Sequence, residues 1–311
     1  MEGLLQVPFL TALLAGAVTA GIPLLLAGLG EQMSEKSGVL NVGIEGMMLG
    51  GAYAGFLTAI SSGSIWLGFL AGACGGALVA VPMVILCVQR GLNQIVIGIG
   101  LTLGLEGLTA ILHHVQFSRT YPRLARVETL PIPLLSDIPI LGPALFDRHP
   151  FVYLAFLLVP ALAILYRGTN FGLWLRAAGD RPAALDVTGI DVIATRTVAV
   201  IFTGLMAGLG GAFLANVGAG IFVPFMTHGD GFIGVVLAML ARGRAAFVLA
   251  GAMIFGGCLS LTTAFQIAGV NVPTDVIQML PFATVMVVLI VFGRQASLPA
   301  ALGLPYVRGE R

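Results

Sequence analysis

The sequence predicts an all-α fold: a polytopic membrane helix bundle of about nine transmembrane helices (eight to ten), with one short surface helix. Three observations carry this. The chain is 58% hydrophobic and only 9% charged, with a mean hydropathy of +1.02. Apolar runs of about 18 residues or more recur from end to end, each long enough for a bilayer core. A β-barrel would show short alternating segments instead. Glycine supplies 43 of 311 residues, far above its ordinary share of about 7%. Small residues let membrane helices approach closely, so a tightly packed bundle is expected.

Taken in order, the spans are expected at about 8–29, 39–60, 65–88, 92–114, 150–167, 196–217, 226–241, 245–268 and 276–293. The first apolar run starts near Pro8. It lacks a basic leading segment and is long enough to span, so it reads as a span and not as a cleaved signal. The run near 226–241 is short and broken by Pro224, Gly229 and Gly231. A half-helix or re-entrant piece fits it. Cys74, Cys87 and Cys258 all lie in apolar runs and read as small buried hydrophobes, neither disulfides nor metal ligands.

Basic residues in short loops set the orientation. Arg167, Arg176, Arg181 and Arg196 should face the cytoplasm, with Lys36, Arg90, Arg242, Arg244 and the basic tail on the same side. Residues 115–149 then form an extracytoplasmic loop. It carries Pro122, Pro131, Pro133, Pro139 and Pro143, so an extended course with little helix is expected. Connector and docking surface are both open readings for it.

The stretch LWLRAAGDRPAALDVTGID, residues 173–191, concentrates charge in a chain with little of it. Pro182 suits the first position of a helix, and Gly189 suits its C-terminal cap. About two turns, roughly 10 Å, fit between them. A helix so short cannot cross a bilayer and should lie on its surface, with Ala183, Ala184, Leu185 and Val187 as an apolar contact set. Two readings stand: a device transmitting force to a partner, or a solvated loop.

Intramembrane polar groups are costly and so are functional candidates. Asn41 and Glu45, four apart at the start of the second span, are expected on one helix face. Asn93 and Gln94 open the fourth span, with Glu106 deeper in it. Asn216, His228 and Asp230 flank the broken segment, and Thr262, Thr263 and Gln266 line one stretch of the eighth span. Each can be structural glue between helices; jointly they suggest a polar path. Glu106 is expected to turn towards another helix and hydrogen-bond there. The adjacent pair His113 and His114 points two ways and makes a poor metal site. A net charge of +1 gives no nucleic-acid footprint. No phosphate-binding loop, GxSxG or HExxH pattern occurs in the right context. Any ATP dependence must therefore come from a partner. LNVGIEGMMLGGAYAGF and GFIGVVLAML, both glycine-interrupted, raise the possibility of two halves at about 1–168 and 169–311.

The run GIPLLLAGLGEQMSEKSGVLNVGIEGMMLGGAYAGF, residues 21–56, resembles the hallmark of ABC-importer permeases of the simple-sugar and nucleoside type, within the ribose and branched-chain-amino-acid permease family. FGLWLRAAGDRPAALDVTGIDV resembles that family's coupling segment, and FTGLMAGLGGAFLANVGAG and GDGFIGVVLAMLARGR resemble the stretches that follow it. The resemblance implies one permease domain over 1–311 in the bacterial inner membrane, with a coupling segment at about 170–195. It implies that Arg176, Asp180, Arg181, Pro182, Ala183, Ala184, Leu185, Gly189 and Ile190 meet the ATPase. The implied partners are an ATP-binding-cassette ATPase that binds ATP and magnesium, a second permease (paralogous or a copy), an extracytoplasmic substrate-binding protein and membrane lipid. The implied cargo is a nucleoside, nucleobase or simple sugar. A stand-alone ion-coupled carrier using Glu45 or Glu106, and an intramembrane enzyme, are the competing classes.

Overall fold

The computed structural model describes residues 7–125, 127–267, 279–292 and 298–308. Its helices are α1 (Val7–Lys36), α2 (Ile44–Ser62), α3 (Ile65–Met83), α4 (Gln94–Phe117), α5 (Pro150–Gly168), α6 (Asn170–Asp180), α7 (Pro182–Val187), α8 (Val192–Phe213), α9 (Asp230–Leu240), α10 (Ala245–Ile267) and α11 (Leu280–Phe292). Six-residue π-helical segments extend α3 to Gln89 and α8 to Ala219. Among the described residues, α1, α3, α4, α5 and α8 are long and apolar enough to cross a membrane, while α9 is a shorter apolar helix.

The termini follow local chemistry. Ser64, Asn93, His149, Thr169 and Asp191 each accept a backbone N–H at the start of the helix that follows them, which satisfies donors that have no intrahelical partner. Proline occupies the first turn of α5 and of α7, where its missing N–H removes nothing.

The core is organised on α1, α2, α3 and α8. Every residue of α1 from Gly21 to Glu35 is buried, against α8, α9 and α10. α2, α3 and α8 meet backbone to backbone. A Cβ on Gly51 would strike Gly208, one on Gly72 would strike Ala212, and one on Gly211 would strike the Met48 carbonyl. Membrane helices gain little from apolar burial against one another, so close packing through small residues is what holds such a contact. α4 and α5 pack on the outside and leave Leu103, Leu108, Ile111, Leu157 and Ile164 exposed.

Several boundaries differ from those the sequence suggests. α1 runs on to Lys36 because Glu31, Gln32, Ser34 and Glu35 are buried inside the bundle and not solvated at its edge. α2 begins at Ile44, after a turn in which Gly38 takes φ +90°. The charged stretch before Pro182 is helical, as α6. It buries Gly172, Leu175, Ala178 and Gly179 at helical spacing. Cys87 is buried, but Cys74 is exposed on the outer face of α3, where Leu70 and Leu78 are exposed too. The 118–149 connection contains a two-residue antiparallel pairing of Leu130–Pro131 with Asp147–Arg148 and a π-helical turn over Gly142–Phe146.

The glycine contacts give a direct test. Gly208→Leu forces two backbones apart and should cost about 3 kcal/mol or more, at the upper end of overpacking effects. Thermal unfolding in detergent reads this as a lowered midpoint. Gly104→Ala, where an added Cβ meets nothing within 4 Å, should leave the midpoint unchanged.

Candidate coupling and translocation site

α6 and α7 sit at one end of the bundle, together with the last turn of α1, the turn at 37–43, the start of α8 and residues 298–308. Thr169 caps α6 by accepting the Gly172 N–H at 3.1 Å. Arg176 reaches back to the Tyr166 carbonyl at 3.1 Å and the Gly172 carbonyl at 3.3 Å, which ties α6 to the end of α5. Asp180 lines a 160 Å³ cavity with Glu35, Lys36, Arg176 and Arg242. Pro182 opens α7, and Gly189 follows it at φ +86°. Leu185 is the inward residue of α7, packed with Ala178 and Val192 against Trp174, Ile190 and Tyr306. It therefore anchors α7, contrary to its place in an outward contact set. Ala183, Ala184 and Val187 are exposed, Val187 at 88%, as is Arg181. Arg308 bonds Asp186 at 3.1 Å, an exposed pair of small energetic weight.

Arg196, counted in the sequence only as a loop charge, is the centre of this end. It is buried, and its guanidinium donates to the carbonyls of Ser37 at 3.0 Å, Leu304 at 2.9 Å and Ala178 at 3.2 Å. The turn before α2, the tail and the end of α6 thus share one planar donor fork. Two backbone bonds reinforce the contact: Ala301 N–H to the Gly179 carbonyl at 2.8 Å and Gly303 N–H to the Gly38 carbonyl at 3.0 Å. The only local signal was a lone arginine in the first turn of an apolar run.

Deeper in the bundle, Glu45 in the first turn of α2 caps α9. Its two carboxylate oxygens accept the Gly229 N–H at 2.9 Å and the Gly231 N–H at 2.7 Å. An anion is favoured there, where free donors and the helix dipole converge. Both helices start with an acidic residue followed by glycine, Glu45-Gly46 and Asp230-Gly231, so the two breaks the sequence paired meet in space. Asn41 does not share a helix face with Glu45, because it lies in the turn before α2. Its N–H donates to Glu31 Oε1 at 3.0 Å, and its amide donates to Met47 Sδ at 3.3 Å. Gln94 accepts the Leu40 N–H at 2.8 Å, and Asn93 is taken up by capping α4. Both therefore bind backbone at a helix end, Gln94 buried and Asn93 exposed. The side chains of Thr262, Thr263 and Gln266 lie outside the described residues.

Glu106 does not turn into another helix. It is half-exposed near the middle of α4, and its carboxylate has no hydrogen bond among the described residues. His113 is buried in an aromatic cluster, stacked on Tyr121 at 5.1 Å. His228 is exposed at φ +44°. Asn216 is fully buried, in the π-helical end of α8. At that same end His149 is buried, and burial holds its imidazole below the ordinary histidine range. It is thus neutral near pH 7, in keeping with Nδ1 accepting the Phe151 N–H at 3.2 Å.

Two substitutions test these contacts. Arg196→Met leaves three carbonyls without their donor and should cost about 3 kcal/mol. Limited proteolysis over 181–190 should quicken markedly, with only partial recovery in Arg196→Lys, which lacks the planar fork. Glu45→Ala should free the start of α9. Amide exchange at Gly229 and Gly231 would rise while α4 stays protected.

Comparison with known proteins places this geometry. Residues 13–289 match the model of the branched-chain amino acid transport system permease component family. A putative glucose ABC transporter permease protein of Haloferax volcanii is 42% identical over 80% of this chain and 76% of its own. A guanosine ABC transporter permease protein of Bacillus subtilis is 30% identical over 98% of this chain and 99% of its own. A nucleoside ABC transporter permease protein of Lactococcus lactis is 31% identical over 97% and 98%. With a matched region that takes in α2, α4, the α6–α7 unit and α9, the chain belongs to this permease family: it is a multi-pass inner-membrane subunit of an ABC importer, a transport component and not an enzyme.

Proposed function

We propose that residues 1–311 form one permease domain of about nine spans that imports a neutral nucleoside, nucleobase or sugar. The end bearing α6 and α7 faces the cytoplasm and the 118–149 connection faces outside. The observation that carries this reading is the build of α7. Its inner residue Leu185 is anchored and its flank is stapled through Arg196, while Ala183, Ala184 and Val187 stand free in a short rigid helix. Such a helix can pass a push from an ATPase into the turn before α2 and from there to Glu45 and α9. The working assembly is this chain, a second permease, a two-cassette ATPase that binds ATP and magnesium, and an extracytoplasmic binding protein. The names of the relatives support cargo of the nucleoside or sugar class. α4 supplies one wall of the path. A carboxylate in the middle of a span is too costly against lipid, so the flank carrying Glu106 faces water or a partner chain.

An ion-coupled carrier with Glu106 as proton site is the class that family membership sets aside. Uptake that survives an uncoupler at constant ATP but stops on ATP depletion rejects the carrier. For the coupling role, Ala184→Asp places a charge in a small apolar contact, an unfavourable burial. The expected result is normal insertion with loss of transport-coupled ATP hydrolysis. Full coupling in that variant would remove α7 from the ATPase contact.

A further inference from the structure

Between α9, α10 and α11 runs a groove of about 450 Å³, within the size range of small-ligand sites. Leu237 and Leu240 of α9, Phe247, Gly251 and Ile254 of α10 and Val288 of α11 line it, with Arg242 in the turn between the first two helices. Its floor lies where α9 and α10 come closest, since a Cβ on Gly251 would strike the Leu237 side chain. Among the described residues its rim is open, with Phe247 46% and Ile254 58% exposed, and no carboxylate lines it. Those two rim residues are two turns apart on α10, so the furrow is roughly 10 Å long. That is most of one leaflet, half of a hydrocarbon core roughly 30 Å thick.

One end of the groove is basic. Arg242 and Arg244 are both exposed there, and the Arg244 guanidinium rests 5.4 Å from the Phe247 ring centroid, at the rim. Arg242 takes φ +49°, a conformation that costs a residue with a Cβ more than it costs glycine. The turn thus keeps a charge at a position where glycine would be less strained. Arg242 also borders the 160 Å³ cavity in which Glu35 and Asp180 stand with Lys36 and Arg176. A guanidinium has five N–H donors and stays charged, so one that serves that cavity can still meet a phosphate. Lipid tails fill any apolar furrow on a membrane bundle, and the apolar lining by itself selects nothing. Two arginines at one end select the headgroup, since each basic residue near the surface favours anionic lipid.

We propose that this groove is a binding site for one anionic phospholipid, with an acyl chain in the furrow and the headgroup phosphate held by Arg242 and Arg244. The assignment of the lipid to the cytoplasmic leaflet rests on the orientation proposed above; the site itself does not. A nucleoside or sugar would leave its hydroxyls unpaired against this lining, so the groove lies apart from the path of the cargo.

The test is photolabelling of the intact transport complex in nanodiscs of phosphatidylcholine and phosphatidylglycerol, with a diazirine on one acyl chain of either lipid. The expected result is labelling of the peptide that contains Phe247 and Ile254, about tenfold or more stronger from phosphatidylglycerol. Arg242→Gln and Arg244→Gln should each lower that preference about fivefold, the scale of one basic residue at an anionic surface. Arg244→Lys should keep most of it, and Arg90→Gln, an exposed arginine off the groove, should leave it unchanged. Ala250→Phe adds bulk at an exposed lining position and should lower labelling by both lipids at an unchanged thermal midpoint. Equal labelling by the two lipids overturns the proposal. So does a preference that the Arg242→Gln/Arg244→Gln double variant retains, or cross-linking of this peptide to the second permease in place of lipid. A membrane-impermeant thiol reagent on Arg90→Cys reads the orientation separately. Its reaction in intact cells would reverse the leaflet without touching the preference for phosphatidylglycerol.

Discussion

Arg196 places a buried guanidinium where three segments of chain would otherwise end in unpaired carbonyls. Burying a charge is costly unless its donors are all used, and here the fork is spent on Ser37, Ala178 and Leu304. The arrangement costs desolvation and returns geometry. The end of α6, the break before α2 and the tail cannot shift independently without exposing the fork. Gly38 and Gly179 make this possible, since a side chain on either would collide with the opposing segment.

The interior of the bundle obeys a second constraint. Lipid offers no apolar contrast to a leucine, so helices must be held by close approach and by polar contacts. The glycines of α2, α3 and α8 provide the approach. Glu45 provides the polar contact: α9 has 11 residues, and a carboxylate 186 residues from Gly231 accepts N–H groups at its start. A broken helix at membrane depth is tolerated where protein covers it. The α6–α7 end and the interior meet at the turn at 37–43, which carries Ser37, a partner of Arg196, at one side and Asn41 at the other, just before Glu45 in α2.

Polar groups in α1 belong to the same scheme. Glu31, Gln32, Ser34 and Glu35 are buried, and several of their atoms have no hydrogen bond among the described residues. Buried polar groups of this kind are expensive.

What the sequence determined by itself was what is local or summed over a window. Hydropathy over a span length fixes a membrane bundle, proline and glycine at Pro182 and Gly189 frame α7, and the interrupted run near 226–241 marks a half-helix. Each follows from the residue's own backbone preference or its transfer energy. The tertiary structure alone decided which side of α7 is anchored, that Asn41 precedes its helix, that Arg196 is a staple and not a loop charge, and that Asn93 and Gln94 serve backbone donors. It also left Glu106 on a bare flank of α4. Those outcomes depend on which distant segments come within hydrogen-bonding reach, and a side chain's type states only what it can bond to, not what will arrive.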